Sequence, residues 1–269
     1  MYFCTCAVGQ EADRSAKGKE PLTKNRNTMI DATEIEELSR RIEKLSPGDG
    51  LALLTDLFPG EVVFSTSLGQ EDQVITEIIA KHKLPVKIFT LDTGRLFYET
   101  YDLLEKTVGK YGVTIQPYYP ETDAVQNLVQ ENGINGFYRS VEKRKACCYV
   151  RKVEPLRRAL KGNRVWVTGL RAGQSSNRQR MPLLEWDEGN QILKYNPLLR
   201  WSMDQMLDYI KEHKIPYNPL HDKGFVSIGC APCTRAIVPG EDPRAGRWWW
   251  EASHKECGLH EPGQLTKNA

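Results

Sequence analysis

The sequence predicts an α/β fold built on a mostly parallel sheet flanked by helices. Three observations point there. Short β-branched and apolar runs recur at residues 61–64, 86–91, 113–118 and 165–168, the segments between them repeat apolar residues at helical spacing, and turn residues separate the two. This is the rhythm of βαβ crossovers, in which each strand is returned to the same edge by a helix. At 269 residues and 40% hydrophobic content the chain can bury the core of one large α/β domain or two small ones.

Taken in chain order, residues 1–28 are polar and mixed in charge without a hydrophobic period, so they read as a disordered leader, with Met29 as an alternative start. The apolar stretch at residues 1–8 is too short for a membrane span and lacks the basic flank of a secretory signal, which predicts a cytoplasmic protein with no membrane contact. Thr33 and Glu36 form a capping box, and Ile35, Leu38, Ile42 and Leu45 make one stripe, predicting a helix that Ser46-Pro47 stops. Val74, Ile75, Ile78 and Ile79 mark a second helix, and Tyr101, Leu104, Val108 and Tyr111 a third. Further on, Ser202 and Gln205 form another capping box, opening a helix through Met206, Tyr209 and Ile210 that ends at Ile215-Pro216. The reading divides the chain into a leader at 1–28, a binding domain at 29–240 and a tail at 241–269.

Function is sought at the carboxyl ends of the strands, where open parallel sheets bind ligands. The first strand runs into Ser65-Thr66-Ser67-Leu68-Gly69-Gln70, whose small residues let backbone N–H groups and a helix N-terminus approach an anion. The second ends in Leu91-Asp92-Thr93-Gly94-Arg95, and the fourth in Gly169-Leu170-Arg171, with Gln174, Ser175, Arg178 and Arg180 beyond. Three polar loops on one edge fit an anionic ligand, since Arg offers paired hydrogen bonds to phosphate or sulfate. With 37 basic and 35 acidic residues, no overall charge marks the chain for nucleic acid. Any basic function is local.

Seven cysteines in an intracellular chain point to metal or redox chemistry rather than disulfides. Cys147-Cys148 and Cys230-Ala231-Pro232-Cys233 supply four thiols in two close pairs. Adjacent thiolates bind different irons of a cubane more readily than one tetrahedral zinc, and zinc stays the alternative. A thioredoxin-type pair at Cys230 and Cys233 is a further reading, but too few and too irregular residues follow it. Cys4 and Cys6 lie in the leader. Cys257 stands apart in Lys255-Glu256-Cys257-Gly258-Leu259-His260, where Lys255 and His260 favour the thiolate.

At this point the residues resemble the sulfonucleotide reductases of sulfate assimilation, in particular the cluster-containing adenylylsulfate reductases. The likeness covers roughly residues 51–260. It rests on the tail motif around Cys257, the two cysteine pairs, Leu91-Asp92-Thr93-Gly94-Arg95, Lys194-Tyr195-Asn196-Pro197-Leu198 and Arg247-Trp248-Trp249-Trp250-Glu251. The resemblance implies an adenosine-nucleotide hydrolase-like, PP-loop-like fold with a cysteine-containing C-terminal region and a mobile tail. It implies that Ser65, Thr66, Ser67 and Gly69 lie near phosphate and Leu91, Asp92, Thr93, Gly94 and Arg95 near the nucleoside. Lys152, Arg171, Arg244, Arg247 and His260 would contact substrate. Cys147, Cys148, Cys230 and Cys233 would hold one [4Fe-4S] cluster per subunit, with Lys152 between cluster and substrate.

The implied activity is reduction of adenosine 5'-phosphosulfate (APS) to sulfite and AMP, through an S-sulfocysteine on Cys257 that thioredoxin cleaves. A thioredoxin or glutaredoxin-like reductant, APS and AMP are then the expected partners, along with a second copy of the chain. Plant-type relatives append a thioredoxin-like domain, and the stop at Ala269 predicts an external reductant instead. Reductases of the 3'-phosphorylated substrate (PAPS) share the tail motif and lack the cluster cysteines, so PAPS or dual specificity is the alternative. Two rivals are a cluster-dependent tRNA-thiolating ATPase, whose Ser-Gly-Gly-x-Asp-Ser loop is absent here, and a zinc-binding module without catalysis.

Overall fold

The computed structural model describes residues 31–174 and 178–251. Six strands form one sheet: β1 (Val62–Thr66), β2 (Lys87–Leu91), β3 (Ile115–Tyr118), β4 (Val165–Val167), β5 (Leu184–Asp187) and β6 (Ile192–Tyr195), in the order β3-β2-β1-β4-β6-β5. All neighbours run parallel except β5, which pairs antiparallel with β6 as an edge hairpin. The expected mostly parallel sheet is present, and its four predicted strands have slightly displaced ends.

Around the sheet lie α1 (Ala32–Ile42), α2 (Pro47–Leu57), α3 (Gln70–Lys81), α4 (Tyr98–Tyr111), α5 (Thr122–Asn132), α6 (Val141–Cys148), α7 (Glu154–Leu160) and α8 (Met203–Glu212). Strand alternation sorts the core into two faces. Val62, Phe64, Val165, Val167 and Leu193 pack with residues of α1, α2, α3 and α8, including Ile42, Leu54, Ile75 and Met206. Val63, Phe89 and Trp166 turn the other way, onto Leu156, Ala159 and Leu160 of α7. Each fully buried Leu or Ile contributes about 1.5–3 kcal/mol. No helix of the described residues is long and apolar enough to cross a membrane.

Two local readings are corrected. The first capping box is Asp31 with Glu34 rather than Thr33 with Glu36: Asp31 Oδ1 accepts the Glu34 N–H at 2.8 Å and the Glu34 carboxylate accepts the Asp31 N–H at 3.2 Å. Aspartate caps as well as threonine, and the earlier start leaves the apolar stripe in place. Ser46-Pro47 does more than end α1. Ser46 Oγ accepts the Asp49 N–H at 3.2 Å and Pro47 occupies the first turn of α2, where its missing N–H costs nothing.

Helix α6 runs into a π turn (Tyr149–Val153) before α7 begins. Pro155 has no N–H to return to the preceding turn, and the Glu154 N–H reaches back five residues to the Tyr149 carbonyl. This irregular turn carries Arg151 and Lys152.

Close packing of α2 on the sheet supplies a test. A Cβ on Gly50 would fall on the buried Tyr195 hydroxyl, so Gly50→Ala should destabilise the fold by about 1–3 kcal/mol. In urea unfolding, Tyr195→Phe should restore part of that loss when combined with Gly50→Ala. Additive losses would mean that the two residues do not meet.

Candidate active site

Above the carboxyl ends of β1, β2 and β4 opens a cleft of about 330 Å³, within the size range of small-molecule sites. Ser65, Thr66, Ser67 and Gly69 line it, as do Leu91 and Thr93, and Lys152, Arg171, Arg244 and Arg247 complete its charged wall. The structure therefore gathers ten of the sequence-predicted positions. Asp92, Gly94 and Arg95 stand behind this wall. Asp92 accepts the Gly94 N–H at 2.8 Å and the Tyr101 hydroxyl at 2.9 Å, which fixes the loop. Arg95 turns away from the cleft to the Ile134 carbonyl and Asn135 and lies over the Phe137 ring. Cys257 and His260 lie outside the described residues.

The first loop differs from a bare anion nest. Leu68 adopts a left-handed conformation, φ 61°, and its N–H goes to Thr66 Oγ1 at 3.0 Å. Both the N–H and the hydroxyl of Ser67 donate to Asp72 Oδ2, at 2.6 and 2.7 Å. The protein's own carboxylate thus occupies part of the nest, leaving the first N–H groups of α3, on Gln70 and Glu71, without carbonyl partners by helix geometry. Burial pushes the Asp72 carboxyl up to about 6, against the pull of the Ser67 hydrogen bonds.

Arg171 is buried and held by Glu71, Nε to Oε1 at 3.0 Å, so its charge reaches the cleft already half-balanced. Arg247 differs: its Nη1 meets the Ser227 hydroxyl and the Ile228 carbonyl, each at 3.2 Å, and its Nε is buried without a partner.

Beside the cleft lie the four cysteines of the two pairs, none of them in a disulfide. Cys230 and Cys233 bracket a short 3-10 turn, with Phe137, Trp248, Cys147 and Trp250 packed around them. The turn is fastened to the second loop: the Ala231 N–H donates to the Arg95 carbonyl at 2.8 Å, and Thr93 Oγ1 is 3.2 Å from Cys230 Sγ. Tyr138 closes the side, donating to the Pro232 carbonyl at 2.6 Å. Burial raises the Cys230 thiol, but Lys152, the Thr93 hydroxyl, Arg247 and Arg151 outweigh it and leave the thiol below its ordinary value. Cys233 is pushed up to about 12 by burial and then by Cys230, with Cys148 and Cys147 adding to the rise.

Among the described residues no group of three or more His, Cys, Asp and Glu side chains is arranged to hold a metal ion. Four soft thiols are donors that zinc and iron–sulfur clusters both accept. The buried N–H groups of Arg151 Nε, Arg247 Nε and Trp250 Nε1 have no partner, and donors of this kind stabilise cluster sulfurs. A buried bidentate pair, Arg144 with Glu251 at 2.9 Å on both arms, ties α6 to the first part of the 241–269 segment.

Sequence reasoning missed Trp166, Asn218, His221, Ser227 and Ile228 on the cleft wall. Trp166 is hidden within an apolar strand. The others fall in the segment after α8, where Asn218-Pro219-Leu220-His221 carries a polar signal that strand and helix periods do not reveal. Of the tryptophan run, Trp248 is 1% exposed and packed inside, whereas Trp249 is 48% exposed.

Asp72 predicts a pH effect. Its folded carboxyl holds a proton up to about pH 6, whereas an unfolded Asp releases it near about 4. The folded state binds this proton more tightly, so its contribution is complete below about pH 4 and is lost as pH rises towards 6. Unfolding free energies of wild type minus Asp72→Asn should show that slope, and a flat difference would contradict it.

Residues 61–236 match the phosphoadenosine phosphosulfate reductase domain family. The chain is 57% identical over 200 residues to adenosine 5'-phosphosulfate reductase of Allochromatium vinosum, spanning 74% of this chain and 78% of that protein. It is 53% identical to the reductase of the same name from Agrobacterium fabrum, over 76% of this chain and 79% of the other. Among solved structures, phosphoadenylyl-sulfate (PAPS) reductase from Candida auris in a phosphate complex superposes with a TM-score of 0.67 at 32% identity, covering 77% of this chain and 98% of that one. The matched residues include most of those that line the cleft, and the chain belongs to the phosphoadenosine phosphosulfate reductase domain family.

Proposed function

We propose that the chain reduces adenosine 5'-phosphosulfate to sulfite and AMP in assimilatory sulfate reduction. The observation that carries this reading is a shared wall. Thr93, Lys152 and Arg247 line the cleft, and all three act on the Cys230 sulfur. Relatives more than half identical that are named for this substrate support the choice of APS.

In this reading Ser65, Thr66, Gly69 and the start of α3 form the phosphate side of the cleft. Leu91 and Thr93 form the nucleoside side, braced by Asp92, Gly94 and Arg95. Lys152, Arg171, Arg244 and Arg247 supply positive charge, and His260 joins them from the tail. Cys147, Cys148, Cys230 and Cys233 hold a [4Fe-4S] cluster, which when bound supplies a fixed charge beside Lys152 rather than electrons to the substrate.

The Cys257 thiolate attacks the sulfate sulfur. The bond from sulfur to the phosphate oxygen breaks, and its electron pair leaves with AMP, whose developing charge the arginines and Lys152 neutralise. An S-sulfocysteine results. A thiolate of an external dithiol, thioredoxin or a glutaredoxin-like protein, then attacks the Cys257 sulfur, and sulfite departs with the electron pair of the S–S bond. The second thiol of the reductant closes its disulfide. The tail at 241–269 serves both halves, presenting Cys257 first to the cleft and then to the reductant. A reducing cytoplasm suits every thiol involved.

One series of preparations tests the reading. Purified protein should contain iron, and Cys147→Ser, Cys148→Ser, Cys230→Ser and Cys233→Ser should each lose iron and sulfite formation together. With reduced thioredoxin, wild type should show a much higher kcat/KM for APS than for PAPS. Full iron content in all four variants would overturn the ligand set, and equal kcat/KM values would overturn the substrate assignment.

A further inference from the structure

Trp166 is 1% exposed and belongs to the apolar face that packs on α7. The pairing of β1 with β4 sets it opposite Val63, and alternation puts Ser65 on the same face, one step nearer the cleft. Its indole Nε1–H donates to Ser65 Oγ at 2.8 Å. A hydroxyl has one hydrogen and two lone pairs, and an N–H received on one of them turns the hydrogen away from the indole. Among the described residues Ser65 Oγ has no second partner, and Ser65 lines the cleft.

Two other hydroxyls of that wall have committed their hydrogens. Ser67 donates to Asp72, and Thr168 donates to Asn196 Oδ1 at 2.5 Å. Behind the indole the buried Lys194 ammonium lies 5.7 Å from the ring centroid and pairs with Glu185 at 3.1 Å. This cation holds the ring in place from the far side, and gives a purpose to a lysine that the reaction itself does not use.

We infer that Trp166 is a positioning residue, which orients the Ser65 hydroxyl as a hydrogen-bond donor into the cleft, toward the anionic oxygens of the bound nucleotide. The inference rests on the cleft being the nucleotide site. Trp166 acts through Ser65 and does not itself touch the ligand's phosphate.

A double-mutant cycle on the holoprotein, with AMP as the probe and calorimetry as the readout, separates this role from packing. Trp166→Phe should weaken AMP binding by about three- to tenfold, the worth of one hydrogen bond, when Ser65 is present. In a Ser65→Ala background the same change should cost less than about twofold. Should Trp166→Phe fold poorly, β-(3-benzothienyl)alanine at position 166 keeps the bicycle and deletes only the N–H, and the same pattern is expected. Equal losses with and without Ser65 would make Trp166 a packing residue and overturn the inference, as would no loss in either background. Absence of AMP binding by wild type would overturn the cleft reading as well.

Discussion

Two buried guanidinium groups without carboxylate partners set the terms for this molecule. Arg144, Arg171 and Lys194 are also buried, but each has its acid, in Glu251, Glu71 and Glu185. Arg151 donates to the Thr93 carbonyl and hydrogen-bonds the Cys147 thiol, Arg247 donates to Ser227 and the Ile228 carbonyl, and both keep an unpartnered Nε. Burying an ion costs several kcal/mol unless opposite charge compensates. A fold that retains two such groups around the Cys230 sulfur favours negative charge there. Both act on the Cys230 sulfur, and Arg247 also lines the cleft.

The backbone explains how these charges come to lie there. Pro155 denies a hydrogen bond to the preceding turn, and the helix carrying Cys147 and Cys148 answers with a π turn that holds Arg151 and Lys152. From the opposite direction the Cys230–Cys233 turn is fastened to the Arg95 carbonyl and the Thr93 hydroxyl. Loss of order at the cysteines is therefore felt at the Leu91 to Arg95 loop, and a charge placed among the sulfurs is felt by Lys152. The chemistry asked of the site is consistent with this. Attack on a sulfate sulfur needs charge neutralised on a departing phosphate more than it needs an electron donor near the substrate.

Much of this was legible in the sequence, and the parts that were not share a cause. Parallel strands announce themselves because burial on both faces demands continuous β-branched runs, so β1 to β4 were visible. The hairpin of β5 and β6 was not, since its short strands carry Glu185, Asp187 and Lys194 among apolar residues. Helix α2 begins with Pro47-Gly48-Asp49-Gly50, a string that reads as a turn, and α5 has only the short stripe Val125, Leu128 and Val129 and buries none of its residues fully. At the site, residue types located the loops but not the direction of each side chain. Nothing in Ser67 or Arg95 reveals that one is bound by Asp72 and the other by Asn135. The two cysteine pairs were evident from spacing. Their convergence depends on crossovers that only the folded chain displays.

The central claim is that sulfur passes through a covalent bond to Cys257, and it is open to direct weighing. Holoprotein mixed with APS in the absence of any reductant, then digested and analysed by mass spectrometry, should release about one AMP per active site. It should carry the added mass of one SO3 group on the Cys257 peptide, which reduced thioredoxin then removes as sulfite. An adduct mapped to Cys230 or Cys233, or sulfite formed by a Cys257→Ser variant, would contradict the account.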